Sequence, residues 1–326
     1  MVQPFSSARR ATYRNRRASR LPSEHGAATA ADSSTMRAGL RTALAVLVLL
    51  ASTGHAMKLL GLFPHTGRSH QMVFEPLLRV LAERGHSVTV VSFFPLERPP
   101  PGYRDVSLEG IAPPGIETIN MSVFEDTLWG FERIAEQFLG FHPLAEMALE
   151  VCRRLVDWPP LVELFQETTD YDLILVENFN SDCLLGLARA HGVRAPVVAL
   201  LSSSLMPWSF ERLGVPFNPA YVPVVSTSFT GRLKFADRLE NSLMHIYFNV
   251  WYRYMIQTKE QSIIEKRFKR KITDLQVMAK ETCLMLVNTH HSLLGVRPLL
   301  PGVVEVGGMH IEPPKDLIPS VSSESA

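Results

Sequence analysis

Short apolar runs alternate with stretches of helical periodicity along most of the chain, beginning with a strand–helix–strand unit at residues 57–92. The apolar runs have the length and composition of buried strands. Strands that alternate with helices predict a mostly parallel sheet with helices on both faces. We therefore predict an α/β protein with one large domain, and its strand candidates are residues 58–63, 87–93, 116–120, 172–176, 196–201, 282–287 and 303–306.

Two proline-rich stretches and one long helix complete the pattern. Residues 95–114 are predicted to be loop, because prolines crowd them. Residues 204–225 combine prolines with bulky apolar side chains, which is more typical of the wall of a binding site than of a linker. An amphipathic helix is predicted from about 231 to 270. One stripe of this helix is predicted to be buried: Leu239, Leu243, Ile246, Tyr247, Val250 and Tyr254.

The first 56 residues do not resemble folded structure. Residues 1–35 are rich in arginine without apolar periodicity, and we expect a disordered basic extension. Residues 36–56 have the pattern of a secretory signal peptide: basic residues after Met36, an apolar run at 43–51, and small residues typical of a cleavage site at the end. The apolar run is too short to span a membrane. The alternative is a transit-like extension with Met36 internal. We expect the folded domain at 57–306 and a truncated linker at 307–326, in the endoplasmic reticulum lumen without a transmembrane anchor in this chain.

Composition excludes several classes of function. The formal net charge of +1 and the pI near 7.8 give no basic footprint for nucleic acid. The three cysteines are odd in number and widely spread, so neither a disulfide framework nor a metal-binding pair is predicted. The basic run at 266–271 is interpreted as a solvated helix end, with peripheral contact to anionic lipid as the alternative.

Common catalytic motifs are also absent from the sequence. The loop after the first strand lacks GxGxxG spacing and contains Pro64, which has no backbone donor for a phosphate, so a dinucleotide oxidoreductase is disfavoured. The sequence contains no GxSxG motif, so the nucleophile elbow of an α/β-hydrolase is not predicted. The histidine pairs do not have metal-site spacing, and we predict no metal site.

His70 is the candidate base, because it follows the first strand where open α/β sheets bind their ligands. Ser69 is predicted to cap the first helix, which would place His70 in its first turn. The positive end of a helix disfavours the imidazolium and keeps the ring neutral, as a general base requires.

Two acids after the fourth strand candidate could hold the tautomer of this imidazole. Glu177 ends an apolar strand, where an acid needs an explanation. Asp182 lies nearby and has a competing role as the cap of the next helix. Because the carboxyl ends of strands in one sheet lie together, either acid could reach His70.

Several separated motifs occur in the order found in one enzyme family. Over residues 57–311 the chain resembles the N-terminal half of a UDP-glycosyltransferase of the glucuronosyltransferase type, with most similarity to arthropod members. The motifs are Gly61-Leu62-Phe63-Pro64 with Ser69-His70, Leu81-Ala82-Glu83-Arg84-Gly85-His86, Phe179-Asn180-Ser181-Asp182-Cys183, and Val304-Glu305-Val306-Gly307-Gly308.

The resemblance implies a fold and a reaction. Such enzymes have two Rossmann-like domains of the GT-B type, and the N-terminal one binds a lipophilic acceptor while the other binds the UDP-sugar. His70 would take the proton of the acceptor hydroxyl, in an inverting transfer of a hexosyl group without metal or cofactor beyond the UDP-sugar. The family role of detoxification follows from the same resemblance. Asp182 is the preferred partner of His70, with Glu177 second. The predicted acceptor contacts are Trp129, Phe138, Trp208 and Phe210.

The second domain of such an enzyme is missing from this sequence. We expect the chain alone to be catalytically silent, since sugar-nucleotide contacts would lie in the other half. The alternative is a non-catalytic lumenal module that binds acceptors or associates with full-length subunits. Asn120 has the form of a glycosylation site, and its use depends on a lumenal location.

Overall fold

Seven parallel strands form one sheet in the computed structural model, which describes residues 56–114, 135, 137–225, 227, 229 and 232–311. The order of strands across the sheet is β3-β2-β1-β4-β5-β6-β7. The central strands are apolar and buried on both faces, as is usual for parallel sheets. Their bounds are β1 Lys58–Phe63, β2 Ser87–Ser92, β3 Tyr103–Ser107, β4 Leu173–Glu177, β5 Val197–Leu201, β6 Thr282–Val287 and β7 Val303–Glu305.

Helices occupy the connections between these strands. They are α1 Arg68–Glu83, α2 His142–Leu155, α3 Pro159–Glu167, α4 Cys183–His191, α5 Phe210–Leu213, α6 Phe235–Trp251, α7 Thr258–Phe268, α8 Leu275–Ala279 and α9 His291–Leu294. A 3₁₀ turn, Pro207–Ser209, precedes α5. A π-helical segment, Tyr252–Gln257, joins α6 to α7 without a break. The proline-rich stretch at 204–225 is partly helical, because it contains the 3₁₀ turn and α5.

The hydrophobic core lies on both faces of the sheet. On one face, Val73, Phe74 and Leu78 of α1 pack against β1, β2 and neighbouring strands. On the other face, α2, α3, α4 and α7 pack against the same strands. The predicted fold class, a Rossmann-like parallel sheet with helices on both faces, is confirmed.

The strand order reverses direction between β1 and β4. The chain builds outward from β1 through β2 to β3, then returns to place β4 beside β1 and builds outward on the other side. Ligands of open α/β sheets bind at the carboxyl ends of the strands at such a switch point. The topology therefore indicates one place for a site, at the ends of β1 and β4.

One strand of the sheet occurs where a loop was predicted. β3 lies within residues 95–114, but its own residues include no proline. It begins after Gly102, whose φ of 82° ends the proline-rich turn, and it pairs with β2 alone at the edge of the sheet. Edge strands need partners on one side only, so nearby prolines are tolerated. The strand candidate at 116–120 lies outside the described residues.

A disulfide joins Cys152 and Cys183, contrary to the prediction from cysteine spacing. The two residues are 31 apart in the sequence, yet α2 and α4 pack side by side on one face and bring their Cα atoms within 5.8 Å. Both side chains are buried in the core. Spacing along the chain does not reveal this proximity, which depends on the packing of two helices. Cys283 is free.

The long helix exposes the stripe that was predicted to be buried. Leu243 and Ile246 are 53% and 60% exposed, and the other members except Tyr247 are also exposed. The buried face of α6 is formed by Met244, Phe248 and Trp251 instead. The helix carries two apolar faces, and periodicity alone does not determine which one packs on the protein. The predicted basic extension and signal peptide lie outside the described residues.

Candidate active site

His70 lies at the switch point, in the first turn of α1. This helix begins at Arg68 with Gly67 as its N-cap, so Ser69 is inside the helix and is not the cap. The backbone N–H of His70 donates to the carbonyl of Gly67 at 3.1 Å. The positive end of α1 therefore adjoins the imidazole.

Glu177 is the acid that contacts His70. Its Oε1 lies 2.5 Å from His70 Nδ1, and the Oγ of Ser202 lies 3.0 Å from the same nitrogen. The side chains of His70 and Glu177 are 17% and 3% exposed, so the contact is shielded from solvent. An ionised carboxylate can only accept, so Nδ1 carries the proton and Nε2 keeps its lone pair. This is the tautomer that a general base at Nε2 requires.

His65 stacks on the ring of His70. The two ring centroids are 3.9 Å apart with an angle of 15° between the planes, and Phe179 packs edge-on against both. His65 Nδ1 accepts from the N–H of Gly67 at 2.9 Å, which leaves its proton on Nε2. A Cβ at position 67 would lie 2.8 Å from the His65 ring, so glycine permits this close approach.

The second imidazole adds no charge beside the first. Burial lowers the pKa of His65 to about 4, and Glu177 opposes this shift only in part. The ring is therefore neutral at physiological pH. It restricts His70 to one plane and covers one of its faces.

Asp182 lies in a separate buried cluster, although it was the preferred partner of His70. Arg212 Nη2 donates to its two carboxylate oxygens at 2.8 and 3.0 Å. Tyr252 and Gln257 donate to Oδ2 at 3.0 and 2.9 Å. The residue is the N-cap of α4, but its side chain makes no cap hydrogen bond. Five residues beyond the end of the strand, Asp182 faces α5 and the π-helical segment, whereas Glu177 is held at the strand end.

The charges of this cluster depend on one another. Burial disfavours the charge of Arg212, yet the adjacent Asp182 carboxylate raises the pKa of the guanidinium above its ordinary value. Burial, followed by Asp182, raises the pKa of Tyr252 well above 10.0. Glu260 completes the cluster, since its oxygens accept from Ser181 Oγ at 2.5 Å and from the N–H of Asp182 at 2.9 Å. Burial, together with Asp182, raises the pKa of Glu260 to about 8.

Glu260 is expected to make the protein less stable as the pH rises from 6.5 to 8. In this range the folded state keeps the proton, with a pKa of about 8, whereas the unfolded carboxyl with its ordinary value of 4.5 has lost it. The folded state binds more protons, so the free energy of unfolding falls with pH, by at most about 1.4 kcal/mol per pH unit. Burial lowers the pKa values of His65, His191 and His245, which therefore act in the opposite sense, most strongly below pH 6.5 and less as the pH rises, so the fall in stability is clearest towards pH 8.

Urea unfolding at several pH values across this range measures the effect. Glu260→Gln keeps an acceptor for the N–H of Asp182 and cannot ionise, so the slope of unfolding free energy against pH should be shallower in this variant. Equal slopes in the two proteins would contradict the assignment.

The predicted acceptor contacts have different surroundings. Trp208 and Phe210 are 5% and 7% exposed and belong to packed clusters. Trp208 Nε1 donates to the carbonyl of Phe179 at 2.7 Å, which connects it to the ring that borders His70. Phe138 is partly buried beside α6. Trp129 lies outside the described residues, as does Asn120. Contact of these side chains with an acceptor stays a prediction.

Neither Ser202 nor His65 was predicted to belong to the site. Ser202 immediately follows β5, so the location of ligand sites at strand carboxyl ends could have indicated it. His65 lies in the loop after β1, and the spacing of the histidine pairs predicts no metal site for it. Its stacking on His70 depends on the loop conformation at Gly67, for which spacing gives no signal.

Neither a metal cluster nor a membrane span occurs in the part of the chain that the structure describes. Within it, no group of three or more His, Cys, Asp or Glu side chains could hold a metal ion. No helix there is both long and apolar enough to cross a bilayer.

A family model described as "UDP-glucoronosyl and UDP-glucosyl transferase" matches residues 58–323. The chain belongs to this family. The contact between His70 and Glu177 at the switch point thus occurs in a UDP-glycosyltransferase-type chain, and the predicted resemblance to the N-terminal half of such a protein is confirmed.

Curated relatives from insects and vertebrates share this similarity. The chain is 32% identical to UDP-glucosyltransferase 2 of Dactylopius coccus over 279 residues, which cover 84% of this chain and 52% of that protein. It is 28% identical to UDP-glucuronosyltransferase 2B30 of Macaca fascicularis, with 82% and 51% covered. The chain spans about half the length of the curated relatives it matches.

Solved structures of glycosyltransferases are more distant. Arabidopsis thaliana UGT89C1 complexed with UDP-L-rhamnose is 15% identical, with 73% of this chain and 44% of that chain covered and a TM-score of 0.33. CalG4, the calicheamicin glycosyltransferase, is 14% identical with a TM-score of 0.29, over 78% of this chain and 53% of that chain.

Proposed function

We propose that this chain supplies the acceptor-binding half of an inverting UDP-glycosyltransferase, with His70 as the general base and Glu177 as the acid that orients it. The observation that carries the proposal is the shielded 2.5 Å contact between His70 Nδ1 and Glu177 at the switch point. Membership of the family makes a hydroxyl acceptor and a UDP-sugar donor the appropriate substrates.

The proposed reaction is a single displacement. Nε2 of His70 takes the proton from the acceptor hydroxyl as its oxygen attacks the anomeric carbon of the sugar, and the bond to UDP breaks on the opposite side. The new glycosidic bond has inverted configuration, and UDP leaves with the bonding electrons. Glu177 stabilises the imidazolium that forms, through a charge-assisted hydrogen bond of about 1.5–3 kcal/mol.

Glu177 is preferred to Asp182 in this role because of their hydrogen bonds. The carboxylate of Asp182 already accepts from Arg212, Tyr252 and Gln257. Glu177 is 3% exposed, and its contact with His70 gives the acid at the end of β4 a function. We therefore assign Asp182 to the stability of the fold.

The acceptor is proposed to be a small lipophilic alcohol or phenol. Phe179 and the neutral ring of His65 give the surroundings of His70 an apolar character. Transfer would also need groups that hold the UDP-sugar in line with the acceptor, because positioning accounts for about 7–11 kcal/mol of a barrier. We propose that a donor-binding half provides them and that the chain alone does not turn over.

The proposed location is the lumen of the endoplasmic reticulum. The signal-peptide pattern from Met36 supports it, and so does the disulfide between Cys152 and Cys183, because disulfides persist in oxidising compartments. A glycan on Asn120 would be consistent with this location.

Chemical labelling of the chain itself tests the proposed acceptor site. Diethyl pyrocarbonate modifies neutral imidazole, so His70 should be carbethoxylated. With 1-naphthol at about ten times its Kd, labelling of His70 should slow about tenfold, measured by peptide mass spectrometry. His291, whose side chain is 60% exposed and distant in sequence from this site, is the internal control and should react at an unchanged rate. Equal labelling of His70 with and without naphthol would contradict the proposal.

A further inference from the structure

Six large apolar side chains form an exposed stripe along α6 and the first turn of the π-helical segment. Each is between 51 and 75% exposed, although the opposite face of the helix is buried. Soluble proteins rarely expose a continuous apolar patch of this kind without a partner. We call it the α6 stripe, and its members are Phe235, Leu239, Leu243, Ile246, Val250 and Tyr254.

The spacing of the α6 stripe is the same in both directions along the helix. Successive members are 4, 4, 3, 4 and 4 residues apart, and the centre lies between Met244 and His245. A second copy that runs antiparallel about this centre would place Leu243 opposite Ile246. The same rotation pairs the remaining members, Leu239 with Val250 and Phe235 with Tyr254. The stripe is therefore complementary to itself under a two-fold rotation, as an isologous interface requires.

The details of the surface agree with helix-to-helix packing. Spacings of four residues predominate in the stripe, and rows of residues four apart form the ridges that most often interdigitate between packed helices. Ser242 and Asn249 flank the centre on one side, so the rotation brings no like charges together at that position.

The geometry also leaves the candidate active site accessible. The buried face of α6 packs into a cluster that contains Phe179, the ring beside His70. The stripe lies on the other face of the helix, directed away from His70. Association through it would not cover the base.

We propose that the α6 stripe is a docking surface for a second copy of this chain, paired antiparallel about the point between Met244 and His245. One helix pair covers less than the about 800 Å² per partner of a standard stable interface, so the dimer should have a Kd in the micromolar range.

Sedimentation equilibrium of the full 326-residue chain tests whether the dimer forms. Leu243→Glu should raise the Kd of the dimer at least about tenfold, because the paired stripes would bury a charge. Ser262→Glu on α7, exposed and outside the stripe, is the matched control and should dimerise like the unmodified chain. Thermal unfolding of each variant shows whether the exposed substitution leaves the fold intact.

Disulfide trapping tests the antiparallel register. In a Cys283→Ser background, a mixture of Leu239→Cys and Val250→Cys chains should form an intermolecular disulfide. Leu239→Cys alone should cross-link at least about tenfold less, because antiparallel pairing separates the two copies of residue 239 by about 16 Å along the helix. Efficient self-linking of Leu239→Cys would overturn the antiparallel arrangement.

Three other results would overturn the proposal. The first is a chain that stays monomeric at about 100 µM, and the second is a dimer that Leu243→Glu does not weaken. The third is monomeric binding to phosphatidylcholine vesicles that is lost in Leu243→Glu, which would identify a lipid surface as the partner of the stripe.

Discussion

His70→Ala should lower kcat for sugar transfer by about 100- to 10,000-fold in a transferase assembled from this chain and a donor-binding half. The substitution removes the only group in the proposal that takes the proton of the acceptor. Glu177→Gln should have a loss of similar size, because an amide can donate to Nδ1 and favour the wrong tautomer. Initial rates with UDP-glucose or UDP-glucuronate and a phenol provide the measurement.

Controls separate this effect from a loss of structure. His291→Ala removes an exposed imidazole outside the site and should leave kcat unchanged. Thermal unfolding of the unmodified chain and of His70→Ala shows how much stability the variant loses when the buried Glu177 no longer has this partner, and rates are compared well below both unfolding temperatures. A kcat within threefold of the unmodified protein for either His70→Ala or Glu177→Gln would be at odds with the assigned roles, given the size of general base effects of about 100-fold or more.

Arg212→Met is expected to reduce the free energy of unfolding by about 3–5 kcal/mol. The side chains of Arg212 and Asp182 are 3% and 1% exposed, so loss of the guanidinium leaves an uncompensated carboxylate in the interior. Arg212→Lys should lose less, since a charge remains but the planar donor group does not. Urea unfolding at constant pH measures these differences.

An exposed ion pair is the matched comparison. Arg104 and Glu167 are 52% and 56% exposed, and Glu167→Gln should cost less than about 1 kcal/mol. If Arg212→Met were as mild as Glu167→Gln, the buried cluster would not have the structural role that its burial indicates.

Much of the fold follows from patterns within single segments. Six of the seven strand candidates match strands of the sheet, because buried parallel strands are short, continuous apolar runs. β3 was missed because prolines next to a strand indicate loop, although an edge strand tolerates them. The alternation of strands and helices was enough to predict the class of sheet and the end at which a site would lie.

The site could be predicted only in part, because its details depend on contacts between distant segments. His70 and Glu177 were both candidates from their positions after strands. Asp182 does not contact His70 because it binds Arg212, which lies 30 residues further along the chain. No local pattern in the sequence reveals the position of Arg212. The disulfide and the exposed face of α6 were missed for the same reason.

The π-helical segment lets the long helix contain one residue more than an ordinary helix along the same path. Bonds from residue i to i+5 widen the turn between Tyr252 and Gln257, whose side chains both reach Asp182. The widened turn absorbs the additional residue, so the helix on either side keeps its orientation, with Trp251 before it and Ile264 after it both buried. The insertion is thus confined to the neighbourhood of Asp182, where it brings two donors to one carboxylate.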